Sequence, residues 1–340
     1  MLNRLQSSKK IIFRLILNSL LGLVLIFIWA QFVNLSDIFH NLARVKPQVV
    51  FFFFGLFCLS GLFRSIRLKL LLNHNKLDLK DLLMLNFLSQ FLSFMIPIRA
   101  GEISKSVYLT SQLNIPLGKT IVWVFIDRFL DLWVFLLTIA LLLPVIPTTL
   151  PSTFVKTIFL LLGLLLLLVI LAIKSENFMK KMTQVLSTFL IISTVKRRFV
   201  LFTHTIIEGF SILRRHPLEL VGLVGLTVLA ILSDGLIWMA VFSSLGIETS
   251  LINFGRSTLG NSMEAFSFLI PAAPGYVGSA EAAGLAVFGG ILGLPPNLAS
   301  SGLVLFHILT LATIFILGLS SLYFLKFDLG TVWKKLKGKD

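Results

Sequence analysis

Met95-Ile96-Pro97-Ile98-Arg99-Ala100-Gly101-Glu102 and Ile270-Pro271-Ala272-Ala273-Pro274-Gly275-Tyr276-Val277-Gly278 interrupt two otherwise hydrophobic stretches, about 82–116 and about 254–296. Proline removes a backbone donor and stops the helix before it, and glycine opens positive φ. Each stretch is therefore expected to form a helix, a kinked tip and a second short helix. Irregular backbone survives at membrane depth only where protein or a water-filled cavity covers it. The two breaks thus point to an all-α polytopic membrane protein whose irregular segments meet inside the fold.

The rest of the chain agrees. Its 340 residues are 56% hydrophobic and 13% charged, with 32 Phe and runs such as Phe51-Phe52-Phe53-Phe54, whereas a soluble domain is nearer a quarter charged. Six unbroken segments, about 11–32, 47–66, 119–143, 154–173, 219–243 and 298–325, approach or exceed the ~20 apolar residues that cross a bilayer. Lys9-Lys10 and the apolar run after it resemble a signal peptide, but Trp29-Ala30-Gln31-Phe32 offers no small-x-small cleavage site, so an uncleaved first helix is expected. The single cysteine, Cys58, excludes a disulfide framework. There is no metal-ligand spacing, nucleotide-binding glycine loop or nucleophile elbow, so no metal or cofactor is expected. Residues 1–340 read as one integral membrane domain.

A net charge of +15 would suggest nucleic acid in a soluble protein; here it reads as cytoplasmic loops facing anionic inner-leaflet lipids. Of the 30 basic residues, 22 lie in the N-terminus, 64–81, the long loop 174–218 and the C-terminal tail. The segments alternating with these hold only Arg44 and Lys46. Lys and Arg stay on the cytoplasmic side, so both termini are expected there. The alternation closes only if each broken stretch returns to its own side, which favours re-entrant hairpins over paired short spans. The hairpins also look alike. Asn86 through Phe91-Leu92-Ser93-Phe94-Met95-Ile96-Pro97 parallels Asn261 through Ala265-Phe266-Ser267-Phe268-Leu269-Ile270-Pro271, and each tip is followed by Gly and then Glu. Two similar units of opposite topology form an inverted repeat, with a site where the broken helices meet.

Six of the fifteen carboxylates lie in the interior of hydrophobic stretches: Glu102, Asp127, Asp131, Asp234, Glu264 and Glu281. Each costs ~2.5–3.5 kcal/mol at the bilayer centre on insertion scales, so partners or water are required. Asp127 and Asp131 share a helix face, with Arg128 three residues before Asp131. Two readings are open: a salt bridge locking the helix to a neighbour, or an ion-coupling site with Glu102 and Glu281. At the first tip, free N–H groups of the second arm and the Arg99 guanidinium suit an anion such as phosphate. At the second, Pro274-Gly275 turns the chain, Gly278 allows close approach, and Ser279 is the expected N-cap. Glu102 and Glu281 fall in the first turns of the following helices, where simple capping is the alternative to function. His74-Asn75-Lys76-Leu77-Asp78 reads as a solvated turn, His307 as hydrogen-bonded structure, and 174–218 as a segment lying on the inner leaflet.

Pro97-x-Arg99-x-Gly101-Glu102-x-x-Lys105, Asp127-Arg128-x-x-Asp131 and Pro271-x-x-Pro274-Gly275-x-x-Gly278-x-x-Glu281 together resemble the lysylphosphatidylglycerol synthase transmembrane-region family, a flippase-like module of bacterial and archaeal membrane proteins. Arg64 and Arg67 fit it as well. Lys105 stands where Arg is common, and Tyr276 where a second Gly is common. The resemblance implies a multi-pass protein of a prokaryotic inner membrane that handles lipid. In fused members a soluble C-terminal domain makes the lipid; this chain, ending at Asp340, is expected not to be an enzyme. The substrate expected is a phospholipid or isoprenoid-linked lipid with an anionic or zwitterionic headgroup, bound by Arg67, Arg99, Gly101, Glu102, Pro274, Gly275, Gly278 and Glu281. Ion coupling would run through Glu102, Asp127, Arg128, Asp131 or Glu281. Alternatives are an integral-membrane lipid transferase, or a lipid-presenting subunit of a separate synthase. A lipid-synthesis enzyme and a second copy of the chain are the protein partners considered; nucleic acid is not.

Overall fold

The computed structural model describes residues 20, 23–72, 77–95, 100–189, 217–269 and 273–326, with single positions between 193 and 207. Among them the chain is helical and contains no strand. Helices α1 (Leu23–Ala30) and α2 (Leu35–Ala43) meet at 90°. They are followed by α3 (Gln48–Leu72), α4 (Leu79–Met95), α5 (Ala100–Leu113), α6 (Leu117–Leu142), α7 (Ser152–Lys174) and α8 (Glu176–Thr188). Then come α9 (Pro217–Ser244), α10 (Leu251–Glu264), α11 (Ser279–Gly284) and α12 (Pro296–Phe324).

Among the described residues three helices are long and apolar enough to cross a membrane, Gln48–Leu72, Leu218–Ser244 and Pro296–Phe324, and the bent pair of α1 and α2 makes a fourth if it is one span. The expected spans 119–143 and 154–173 are also helical, but α6 carries Lys119, Asp127, Arg128 and Asp131 and is not uniformly apolar. Large apolar side chains face outward, among them Phe51 at 79% and Leu160 at 73% exposure. Water would oppose such a surface and lipid favours it. The chain is a helical membrane protein.

The two broken stretches fold as helix, tip and second helix. Arms α4 and α5 pack on one another; the tip between them, with Pro97 and Arg99, lies outside the described residues. Gly101 lets the start of α5 approach α4, since a Cβ there would overlap the Ser89 carbonyl oxygen and Ser93 Oγ. Overpacking of this kind costs about 1–3 kcal/mol. Gly101→Ala is therefore expected to lower the melting temperature of the purified protein despite alanine's better helix propensity. In the second stretch α10 tightens into a 3₁₀ turn at Ala265–Leu269, and Ile270, Pro271 and Ala272 lie outside the described residues. The chain resumes through a second 3₁₀ turn, Pro274–Tyr276, and α11 runs on as a π-helical turn over Leu285–Ile291.

The two largest apolar clusters among the described residues hold these elements. One joins Leu82, Leu85 and Leu88 of α4 to Leu109 of α5 and Ile126 and Leu130 of α6. The other joins Trp238 and Phe242 of α9 to Phe288 and Leu303. Helices α3 and α9 pack along one another, and α12 lies against α4. The described tip residues of the two stretches touch: the Phe94 ring lies 6.0 Å from Tyr276 and edge-on to His307 at 5.7 Å. The basic residues before position 20 and after 326, and Arg198, Arg214, Arg215 and His74, lie outside the described residues.

Candidate functional site: a cavity walled by ion pairs

Arg64 and Arg67 are three residues apart on α3 and Asp127 and Asp131 four apart on α6, so each pair shares a helix face. Packing brings the faces together. Arg67, with no exposed surface, donates Nε to Asp127 Oδ1 at 2.8 Å and Nη1 to Asp131 Oδ1 at 2.6 Å and to Thr227 Oγ1 at 2.8 Å. Lys105 Nζ, equally buried, sits 3.5 Å from Asp127 Oδ2. Arg64 donates Nη2 to Asp234 Oδ2 at 2.7 Å, and Asp234 also accepts from Ser60 at 2.6 Å. Arg128 donates Nε to Glu102 Oε1 at 2.5 Å and reaches Asp131 Oδ2 at 3.4 Å.

The network holds Arg64, Arg67, Lys105 and Arg128 against Glu102, Asp127, Asp131 and Asp234, so its formal charges cancel. Charges buried this deeply persist only when paired and hydrogen-bonded. Asp127 and Asp131 sit in different surroundings: Asp127 pairs with Arg67 away from the cavity, joining α6 to α3. Glu102, Arg128 and Asp131 line a cavity of about 380 Å³, together with Arg64 and Asp234. That size falls in the range of small-ligand sites. Aromatic side chains complete the lining: Phe57, Phe94, Phe135, Trp238 and Phe306, with Trp238 and Phe306 stacked at 4.0 Å.

At the second tip Gly275, Tyr276 and Gly278 all have positive φ, 72°, 57° and 84°. Left-handed backbone is strained for a residue with a Cβ, so glycine would suit position 276 and Tyr276 carries that strain. The N-cap of α11 is Gly278, not Ser279 as expected. Glu281 Oε2 reaches back to accept the Gly278 N–H at 2.7 Å, and Ser279 instead bonds the Tyr276 carbonyl. The other Glu281 oxygen meets His307 Nδ1 at 2.5 Å, and His307 Nε2 lies 2.9 Å from the Gly275 carbonyl. A carbonyl only accepts, so Nε2 carries hydrogen, and Glu281 and Nδ1 share one further proton. Glu281 thus caps its helix and ties it to α12. A smaller pocket of about 40 Å³, lined by Gly275, Glu281, His307 and Glu264, adjoins the main cavity through shared Phe94, Tyr276 and Phe306.

The residues singled out from the sequence therefore divide. Glu102, Arg128 and Asp131 face the main cavity, and Gly275 and Glu281 the smaller one. Arg67, expected at the substrate, does not line the cavity; its fork is occupied behind the wall by two carboxylates and a threonine. Gly101 serves helix approach, Gly278 is a cap, and Pro274 is an exposed turn residue. Arg99 lies outside the described residues. Missing from the expected site were Arg64, Asp234, Glu264 and His307. The signal for three of them was a charge inside a hydrophobic run or at its edge; His307 gave none beyond being a lone intramembrane histidine. Among the described residues no three His, Cys, Asp or Glu side chains gather to hold a metal ion.

A search of curated proteins returns no match. The family model for the lysylphosphatidylglycerol synthase TM region, by contrast, matches residues 15–318. That interval contains both broken stretches and every residue of the ion-pair network, and the chain belongs to this family.

Proposed function

We propose that this protein is a lipid flippase, moving a phospholipid or isoprenoid-linked lipid across the membrane through the cavity. The observation that carries the reading is the cavity's mixed lining: Arg64 and Arg128 stand among Glu102, Asp131 and Asp234, and aromatic and aliphatic side chains line the same space. A headgroup phosphate suits the guanidinium forks, the carboxylates suit the cationic part of a zwitterion, and the apolar lining suits the adjoining chain. The family's link to membrane lipid supports the same reading.

In this reading the spans are six, both broken stretches re-enter, and the two form an inverted repeat around the cavity. Both termini face the cytoplasm of a prokaryotic cell, and anionic inner-leaflet lipids meet the basic loops. Arg99 and the start of α5 add to the phosphate site at the first tip. The protein is not an enzyme; a lipid-synthesis enzyme supplies its substrate, and it works alone or as a homo-oligomer. Transport is driven by an ion gradient or by the lipid's own gradient.

The test is lipid flux. The purified protein in phosphatidylglycerol/phosphatidylethanolamine vesicles is expected to equilibrate headgroup-labelled phosphatidylglycerol between leaflets many times faster than protein-free vesicles. Chemical conversion of the lipid would favour a transferase. Binding without flux would favour a lipid-presenting subunit.

A further inference from the structure

Glu264 ends α10 where the helix tightens into the 3₁₀ turn at the second break. It is 4% exposed, lines both the main cavity and the smaller pocket, and makes no hydrogen bond or ion pair among the described residues. This isolation is unusual. The other cavity charges are occupied: Arg64 of α3 by Asp234 of α9, Arg128 of α6 by Glu102 of α5, and Asp131 of α6 by Arg67 of α3 and by Arg128. Glu281 of α11 and His307 of α12 hold one another. Buried donors of lining residues, Trp238 Nε1, Asn261 Nδ2 and Thr310 Oγ1, have no acceptor and do not reach the Glu264 carboxylate.

An ionised carboxylate buried without a partner is far more costly than a neutral one, and Glu281 of the smaller pocket, held by His307 and the Gly278 N–H, offers it no relief. Water entering the cavity reverses that preference, because it solvates the charged form. A group whose preferred charge differs between a closed and an open state biases the equilibrium between them. We propose that Glu264 is the proton-binding residue of the cavity, protonated while the cavity is closed and ionised when it opens to water. The step is a simple acid–base exchange: a hydronium ion gives its proton to one carboxylate oxygen and leaves water, and the reverse releases it. As a coupling site this rests on the transport reading above, and it moves the coupling role from Glu102, Asp127, Asp131 and Glu281, all engaged by cations or caps, to Glu264.

Two measurements on the full chain in the same vesicles test it. In infrared difference spectra between acid and alkaline buffer, wild type is expected to show a protonated-carboxyl band that Glu264→Gln loses and Glu102→Gln keeps. In the flux assay with labelled phosphatidylglycerol, an imposed pH step is expected to change wild-type flux severalfold and leave Glu264→Gln flux unchanged. A band that persists in Glu264→Gln, or a Glu264→Gln protein with wild-type pH response, overturns the proposal. If Glu264→Gln does not fold, Glu264→Asp, which keeps a titratable group in a shifted position, must shift the band; an unshifted band overturns it equally. Wild-type protein that moves no lipid would refute the transport reading, while the infrared band would still decide the proton site.

Discussion

Arg67→Ala is expected to cost about 3–5 kcal/mol, the range found when one partner of a buried ion pair is removed. That is a large fraction of the 5–15 kcal/mol typical of a whole fold. The size follows from what is left behind. Asp127 and Asp131 are both buried, and Arg67 is the group that bridges them while also bonding Thr227. Lys105 stays 3.5 Å from Asp127, and Arg128 and Arg64 stay 3.4 and 3.7 Å from Asp131, but these are longer contacts than the ones Arg67 makes. Arg67→Lys keeps the charge but not the planar fork, so an intermediate loss is expected. Adding Asp127→Asn to Arg67→Met restores the network's neutrality and is expected to cost less than the sum of the two single changes. Thermal unfolding of the purified variants checks both statements. Arg67→Ala melting with wild type would mean that the network does not hold α3 to α6.

The breaks were legible because they rest on backbone chemistry: proline and glycine dictate where a helix cannot continue, whatever surrounds them. The helical class was legible for the same reason, since nothing but helices or closed barrels satisfies backbone polar groups in lipid. The spacing of Asp127 and Asp131 likewise revealed a shared face. What the residues could not reveal is which face that one meets. Arg67 lies 60 positions from Asp127 and Arg64 lies 170 from Asp234, and only the packing of α3 against α6 and α9 selects those pairs. The same limit explains Glu264 and Glu281. Both are carboxylates beside the second break, yet Glu281 finds a cap and a histidine and Glu264 finds no partner among the described residues. Ser279 was the better cap by residue type. It lost to Gly278, whose positive φ suits glycine and whose N–H the Glu281 carboxylate accepts from the N3 position.

Arg128→Ala is expected to lower lipid flux by about 10- to 100-fold, the equivalent of one hydrogen bond to a charged group at ~1.5–3 kcal/mol. Arg128 differs from Arg67 in where its fork points. Its side chain is 35% exposed, it lines the cavity, and its Nη1 contact with Asp131 is long at 3.4 Å. That leaves guanidinium hydrogens free for a phosphate while Nε stays anchored on Glu102. Asp131 keeps Arg67 when Arg128 is removed, and Glu102 then faces the cavity rather than a dry core, so the stability loss should be well below that of Arg67→Ala. Arg128→Lys should recover part of the flux, because an ammonium supplies charge without the bidentate geometry. Glu102→Gln should retain most of it, since it loosens the anchor but keeps the donor. Flux of labelled phosphatidylglycerol, measured beside melting temperature for each variant, separates binding from folding. Wild-type flux in a stably folded Arg128→Ala protein would move the phosphate site away from this wall, to Arg64 or to the first tip.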